Sequence, residues 1–328
     1  MTDNPNWIPV AVRSRGGRVE TVHRGAAVAV DPAGKNLLAV GDPAAATFFR
    51  SSVKMYQALP MVKSGAPEKF GFTPAEMALA CASHNGESFH AATAASMLKK
   101  MDLTPAHLRC GAHPPYNRAA ANELVAKGEP FTALHNNCSG KHSGMLACCL
   151  ANGWPLETYI EPGHPLQQAI LATVAAAAGL DAATIPSAID GCGVPTFFMP
   201  LEKMALTFAR FGATTDPDLR RLFDAMTAHP EMVDGTGDFD TRVMQVTKGR
   251  LVCKRGGAAL GCIATRDGVG ITVKCGDGTS DVVPVMLMRV LQKMNLISAA
   301  EAEELKEFVA PAQKNVAGRE VGVLEAIF

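Results

Sequence analysis

The stretch LVCKRGGAALGCIATRDGVGITVKC, residues 251–275, decides the architecture. Leu251–Lys254, Leu260–Thr265 and Val269–Cys275 are apolar runs separated by Gly256-Gly257 and Arg266-Asp267-Gly268. Each separator is a hairpin signal, so the chain returns to β-structure late. Its first 50 residues read the same way: Pro9–Arg13 and Val19–His23 flank Gly16-Gly17, and Ala26–Val30 and Leu37–Val40 flank Asp31-Pro32-Ala33-Gly34. Between these ends the pattern is helical, over Lys54–Leu59, Pro74–Ser83, Ser88–Met101, Asn117–Lys127, Gly140–Asn152, Leu166–Ala178 and Pro200–Phe211. Helices over about Asp281–Met294 and Ala299–Ala310 follow the last strands. Strands, a helical middle and strands again imply an α/β sandwich: an antiparallel sheet drawn from both chain ends (about 1–50 and 250–280) with a helical lobe. No composition break marks a linker, so residues 1–328 are expected to form a single domain.

Composition narrows the function classes. Lys+Arg and Asp+Glu are both 31, so the net charge is zero and nothing in it favours a nucleic-acid partner. Apolar residues are 48% and charged residues 19%, the balance of a buried globule and not of a disordered chain. The richest apolar run, Ala169 to Gly179, is too short to span a membrane. The N-terminal MTDNPNWIPVAVRSRGG has no apolar h-region, so no secretory address is expected. Nine cysteines without a C-x-x-C pattern suit a reducing cytoplasm, with packing as the default role for each.

Three short motifs can carry chemistry. Ser51-Ser52-Val53-Lys54 sets a serine three residues before a lysine at a helix start, on one face and near the positive end of the helix dipole. A hydroxyl needs a base to become a nucleophile, and lysine serves only when neutral. Bringing a lysine from about 10.4 to near 7 costs roughly 4–5 kcal/mol, which burial and a second nearby cation can supply. A second copy, Ser96-Met97-Leu98-Lys99, lies in an amphipathic helix and reads as solvated surface. Ser83-His84-Asn85 is an S-x-N triplet, and Lys254-Arg255-Gly256 a K-x-G triplet at a strand end where glycine permits close approach. Lys274-Cys275-Gly276 repeats the latter, which makes Lys274 the substitute for Lys254. The order S-x-x-K, S-x-N, K-x-G is that of penicillin-binding enzymes and serine β-lactamases.

The most unusual segment is Leu134-His135-Asn136-Asn137-Cys138-Ser139-Gly140-Lys141-His142-Ser143-Gly144, polar residues running into an apolar helix. Asp190-Gly191-Cys192-Gly193 sets a second cysteine between glycines, in a turn and not in the core. With His142 or Asp190 nearby, the two cysteines can hold zinc; two ordinary reduced thiols are the plain alternative. Cys148-Cys149 reads as core.

Taken together, Arg50-Ser51-Ser52-Val53-Lys54, Ser83-His84-Asn85-Gly86-Glu87, His135–His142 and Asp190–Gly193 resemble the rhizobial-type (class 3, asparaginase II) L-asparaginases, over most of the chain. The resemblance implies a serine β-lactamase-like fold and hydrolysis of L-asparagine to L-aspartate and ammonia. It implies Ser51 as nucleophile with Lys54 as its base, and Ser83 with Lys254 as a second pair that relays protons. It implies zinc on Cys138, Lys141 and Cys192, with Asp190 close by, and a homodimeric enzyme. Arg50, Asn85, His142 and Asp190 are the candidates for gripping the substrate, a guanidinium being matched to a carboxylate. A penicillin-recognising acyl-serine hydrolase and a non-catalytic zinc-dependent amino-acid binding protein are the competing readings.

Overall fold

The computed structural model describes residues 6–328, so residues 1–5 of the N-terminal stretch lie outside it. The chain groups into two compact units. The first comprises the described part of Met1–Ser52 with Phe198–Ala213 and Arg242–Phe328; the second comprises Val53–Phe197 and Thr214–Thr241.

The first unit is an antiparallel sheet with a helix on each face. Its strands run, side by side, Ala312–Lys314, Glu320–Ala326, Ile8–Arg15, Arg18–Val30, Gly270–Cys275, Leu260–Thr265 and Leu251–Gly256, with Asn36–Val40 also on Arg18–Val30. Gly16 and Gly17 both take positive φ, 55° and 77°, which matches a two-residue hairpin to the twist of its strands. Leu260–Thr265 and Gly270–Cys275 are buried at every position. Two close approaches account for that. A Cβ on Gly270 would stand 1.9 Å from the Ala205 carbonyl oxygen, in the Leu201–Gly212 helix. A Cβ on Gly261 would stand 2.4 Å from Val283, in the Val282–Lys293 helix. Gly270 pairs with Ala264, whose side chain points opposite to that of Gly261, so the helices cover opposite faces. Strands covered on both sides read as continuous apolar runs, as residues 251–275 do.

The α/β class and the sheet built from both chain ends agree with the sequence reading. The sheet extends further than residue 280, however. Glu320–Ala326 pairs with Ile8–Arg15, Ala326 opposite Ala11, and ties the two ends of the described chain together. Its third residue is Gly322, where a Cβ would meet the Ser14 carbonyl at 1.8 Å, so the segment lacks the side-chain alternation that announces a strand. The expected Ala299–Ala310 helix stops at Glu304, where Leu305 turns into the core and a 3₁₀ turn, Lys306–Phe308, follows.

The second unit is mainly helical. Ser88–Lys100, Arg118–Lys127, Ser139–Asn152 and Pro165–Ala178 fall within a residue of the sequence reading, while Pro217–Ala228 was not foreseen. Ser139–Asn152 is central: every residue from Ser139 to Cys149 is buried. Lys54–Lys63, Pro74–Ala80 and Ser88–Lys100 pack around it. Gly140 and Gly144, one turn apart, make this possible. A Cβ on Gly140 would be 2.4 Å from Leu79, and one on Gly144 3.0 Å from Met61 and 3.1 Å from Ala80. Nearby, Ile189 pairs with Pro195 and frames the Asp190–Val194 turn. Among the described residues no helix is long and apolar enough to cross a membrane.

Gly270→Ala is expected to lower stability by roughly 1–3 kcal/mol, because backbone must move to admit the methyl group. Gly163→Ala, where a Cβ meets nothing within 4 Å, is expected to stay within about 0.5 kcal/mol of the parent. Urea denaturation midpoints of the two variants check both.

Candidate functional site

In the second unit the polar run 135–144 folds into the entry of the buried Ser139–Asn152 helix, and each polar group has a task. Asn136 donates from Nδ2 to the Cys110 carbonyl at 2.9 Å and accepts the Cys138 N–H on Oδ1 at 2.8 Å. That fixes Cys138 at the helix N-cap. His84 Nε2 lies 2.9 Å from Ser139 Oγ, and the His84 N–H donates to the Asn137 carbonyl. The S-x-N loop is thus sewn to the C-S-G-K turn.

Two lysines end on the two thiols. Lys54, which opens its helix and is 1% exposed, donates to the Ala82 carbonyl at 2.5 Å and to Cys138 Sγ at 3.1 Å. Lys141 donates to Cys192 Sγ at 2.9 Å. Cys192 is in the expected turn, but it is buried, because that turn folds inward onto Lys141. Hydrogen bonding from Cys192, reinforced by Lys54 and Lys141, holds the Cys138 thiol well below its ordinary value despite burial. Cys192, which gives that hydrogen bond, moves up. Burial opposes the Lys141 ammonium, yet the two thiols and Asp190 more than offset it and raise its pKa.

His142 is fully buried beside this cluster. Desolvation pushes it down to about 4, so the imidazole is neutral. Its Nδ1 lies 2.7 Å from the Tyr159 hydroxyl, which accepts the Arg109 N–H at 2.9 Å. Its Nε2 has no hydrogen-bond partner. Two thiols, an amine and an unpartnered buried imidazole nitrogen are the donors a borderline divalent ion takes, so Cys138, Lys141 and Cys192 fit zinc.

Ser83 and Asn85 lie on the same loop. The Ser83 Oγ is buried without a hydrogen-bond partner. Asn85 donates from Nδ2 to Asp238 at 2.9 Å, and its N–H reaches the Asp234 carbonyl at 2.7 Å. A Cβ on Gly235 would lie 2.0 Å from the Asn85 amide nitrogen. The Asp234–Asp238 segment, which the sequence reading passed over, is therefore moulded onto Asn85; its D-G-T-G-D pattern was the available signal.

Arg50, Ser51 and Lys254 belong to the first unit. Arg50–Val53 is a 3₁₀ turn that runs into the helix opened by Lys54. Arg50 holds φ at 50°, a left-handed conformation costly for a side chain with a Cβ. Ser51 is half-buried. Lys254 is buried in its strand and donates to the Arg255 carbonyl at 2.9 Å. The K-R-G-G end of that strand packs on the Arg50–Ser52 turn: Cβ atoms on Gly256 and Gly257 would stand 2.8 Å from Ser52 Oγ and 3.1 Å from the Arg50 guanidinium. Lys274, the substitute, donates to the Ala258 and Cys275 carbonyls. The other S-x-x-K copy is surface, with Ser96 and Lys99 exposed.

The L-asparaginase II family model matches residues 11–326. No curated protein matches the chain. Solved structures similar to it include a beta-lactamase from Sphaerobacter thermophilus DSM 20745, at 12% identity over 84% of this chain and 93% of that one, with a TM-score of 0.41. A putative beta-lactamase from Bacteroides dorei DSM 17855 is 10% identical over 82% and 93%, TM-score 0.39. Mglu in its native form with 4.3 M NaCl is 14% identical over 83% and 61%, TM-score 0.38.

Burial holds His90, stacked on His84 at 4.6 Å, below its ordinary pKa. The unfolded chain therefore takes up a proton that the folded one resists, and stability falls as pH drops below about 6.5. His90→Gln is expected to lose less stability than the parent between pH 7 and pH 5, measured by urea titration at each pH.

Proposed function

The chain belongs to the L-asparaginase II family, and on that premise we propose that it hydrolyses the side-chain amide of L-asparagine with Ser51 as nucleophile and Lys54 as base. The observation that carries the reading is the setting of Lys54: a lysine buried to 1% exposure, three residues after a half-buried serine. The Lys54 amine reaches the Ala82 carbonyl and the Cys138 sulfur, and in this reading it accepts the serine proton in its neutral form.

In the proposed cycle the Ser51 oxygen attacks the amide carbon as Lys54 takes its proton. That proton passes to the departing nitrogen, the C–N bond breaks, and ammonia leaves a β-acyl ester on Ser51. Water then attacks the ester, giving one proton back to Ser51 through the lysine and releasing aspartate. In this reading Ser83 and Lys254 have the role of a second Ser–Lys pair, which relays protons. Arg50 grips the α-carboxylate, its strained backbone holding the guanidinium in a set direction, while Asn85 and Asp190 meet the amino-acid head. His142, fully buried and held by the Tyr159 hydroxyl, completes the candidates for the substrate-binding wall. Cys138, Lys141 and Cys192 would hold zinc, which supplies charge that keeps both thiols and the amine deprotonated and the substrate-binding wall rigid. The same reading makes the protein a cytoplasmic homodimer.

Ser51→Ala is expected to lower kcat for ammonia release from L-asparagine by roughly 10³-fold or more. Near-parental turnover in that variant, or binding of asparagine without ammonia release by the parent, overturns the reading; stable acylation by penicillin points to the competing hydrolase. Removing metal with a chelator is expected to raise KM by roughly 10-fold while kcat changes less, and zinc restores it. Steady-state kinetics on the stripped and reloaded protein check this.

A further inference from the structure

A second constellation of metal-binding side chains lies in the first unit, and nothing in the asparaginase reading uses it. The strands Arg18–Val30 and Gly270–Cys275 pair antiparallel with Gly25 opposite Cys275. The Gly276 N–H still reaches the Arg24 carbonyl at 2.7 Å, so the register continues past the ladder and brings Asp277 opposite His23. His23 Nδ1 stands 2.8 Å from Asp277 Oδ2. Cys275 Sγ stands 3.1 Å from Asp277 Oδ1, which also accepts the Thr279 N–H at 2.8 Å. Among the described residues, His23, Cys275 and Asp277 bring their three donor atoms within 4.8 Å of one another.

We propose that His23, Cys275 and Asp277 form a zinc-class divalent metal site that clips the His23 strand to the turn after Cys275. Imidazole, thiolate and carboxylate are a donor set that such ions select. Zinc–ligand bonds of about 2.0–2.3 Å at tetrahedral angles set donors roughly 3.3–3.7 Å apart, so the two hydrogen-bonded contacts, made to different Asp277 oxygens, need to open by roughly half an ångström while donors spread over as much as 4.8 Å draw in around one oxygen. Without metal, the carboxylate takes the His23 N–H and the Cys275 S–H. An incoming dication releases the thiol proton to solvent and moves the imidazole proton to Nε2, and the metal charge then balances thiolate and carboxylate. Thr21 Oγ1, 3.4 Å from Nε2, is the acceptor for the moved proton. The His23 and Cys275 sides are buried and the Asp277 side chain is 44% exposed, which leaves the entry path and a fourth, water-filled position on the solvent side.

Two cations oppose the ion. Arg13 donates from Nε to His23 Nε2 at 3.3 Å, a bond that must give way when Nε2 takes the proton, while the far end of its guanidinium pairs with Asp281. Lys274 lies alongside with its ammonium turned to two backbone carbonyls. Their presence sets an affinity below that of a four-ligand structural site.

The proposal is independent of the asparaginase reading, and its test is built to keep the two apart. Metal-free full-length protein is titrated with Co²⁺, reading bound ions per chain and the thiolate-to-cobalt absorption, for the parent, Asp277→Ala and Cys275→Ala. Whatever the Cys138 cluster holds, each variant is expected to bind one ion fewer than the parent, or to bind that ion at least roughly 10-fold more weakly. Zinc is expected to raise the Tm of the parent more than that of Asp277→Ala, with ammonia release unchanged by the substitution. Equal stoichiometry and affinity in the parent and Asp277→Ala overturn the proposal; that substitution is at an exposed side chain, so the result stands even where Cys275→Ala does not fold.

Discussion

Lys54 and Lys141 each carry an amine to a place water does not reach, and the interior must then either neutralise the amine or set an anion against it. The chain sets sulfur there. Cys138 and Cys192 face the two amines at 3.1 and 2.9 Å. Sulfur suits the task because a thiol titrates within reach of neutrality and binds metal once deprotonated. The surrounding structure makes sense as the means of holding this cluster still. Asn136 fixes the Cys138 backbone, Tyr159 fixes His142, and Gln167 in turn donates to the Tyr159 carbonyl at 2.8 Å.

Holding it still requires the Ser139–Asn152 helix to lie in the middle of its unit, buried from its first turn. A helix with a Cβ at positions 140 and 144 would stand away from Leu79, Met61 and Ala80. The two glycines carry an intrinsic helix penalty of roughly 1 kcal/mol each. That cost is a reason to regard the close packing as selected for position: the same stability is available from alanine and a wider spacing. The first unit uses glycine in the same spirit. Gly256 and Gly257 give up side chains to let the Arg50–Ser52 turn approach, and the hairpin's positive φ values then fall on Ala258 and Ala259, at 57° and 56°. Turn chemistry alone would have placed the glycines two positions later.

That displacement explains how far the sequence can be read. The hairpin after Leu251–Lys254 is legible from its glycines, although their actual work is packing. The helices from Ser88 to Ala178 are legible because apolar periodicity and terminal Asn117, Gly128, Gly153 and Gly179 agree. Glu320–Ala326 is not, since its strand identity rests on pairing with Ile8–Arg15 and Gly322 hides the alternation. Among site residues, Cys138, Lys141 and His142 announce themselves as a polar run entering an apolar helix. Asp238 and Gly235 do not, because holding Asn85 is a matter of where a loop folds back, and no local pattern records that.

The cysteines give the sharpest instance. All nine are buried and outside any disulfide, as a packing default expects, so burial alone does not sort them. Partners do. Cys148 and Cys149 lie in mainly apolar surroundings, and desolvation pushes them up to about 11 and about 12, where they are inert. Cys262 rests 3.4 Å from the Thr272 hydroxyl, a neutral neighbour inside the sheet. Cys138 and Cys192 face amines, and Cys275 faces a carboxylate and shares its surroundings with an imidazole. A thiol becomes chemically competent where the residue facing it can take or replace its proton; that residue is distant in sequence for Cys138 and Cys192, which face Lys54 and Lys141, and two positions on for Cys275, which faces Asp277. The fold, by choosing those neighbours, divides one residue type into thiols set among apolar groups and thiols set against charged or polar ones.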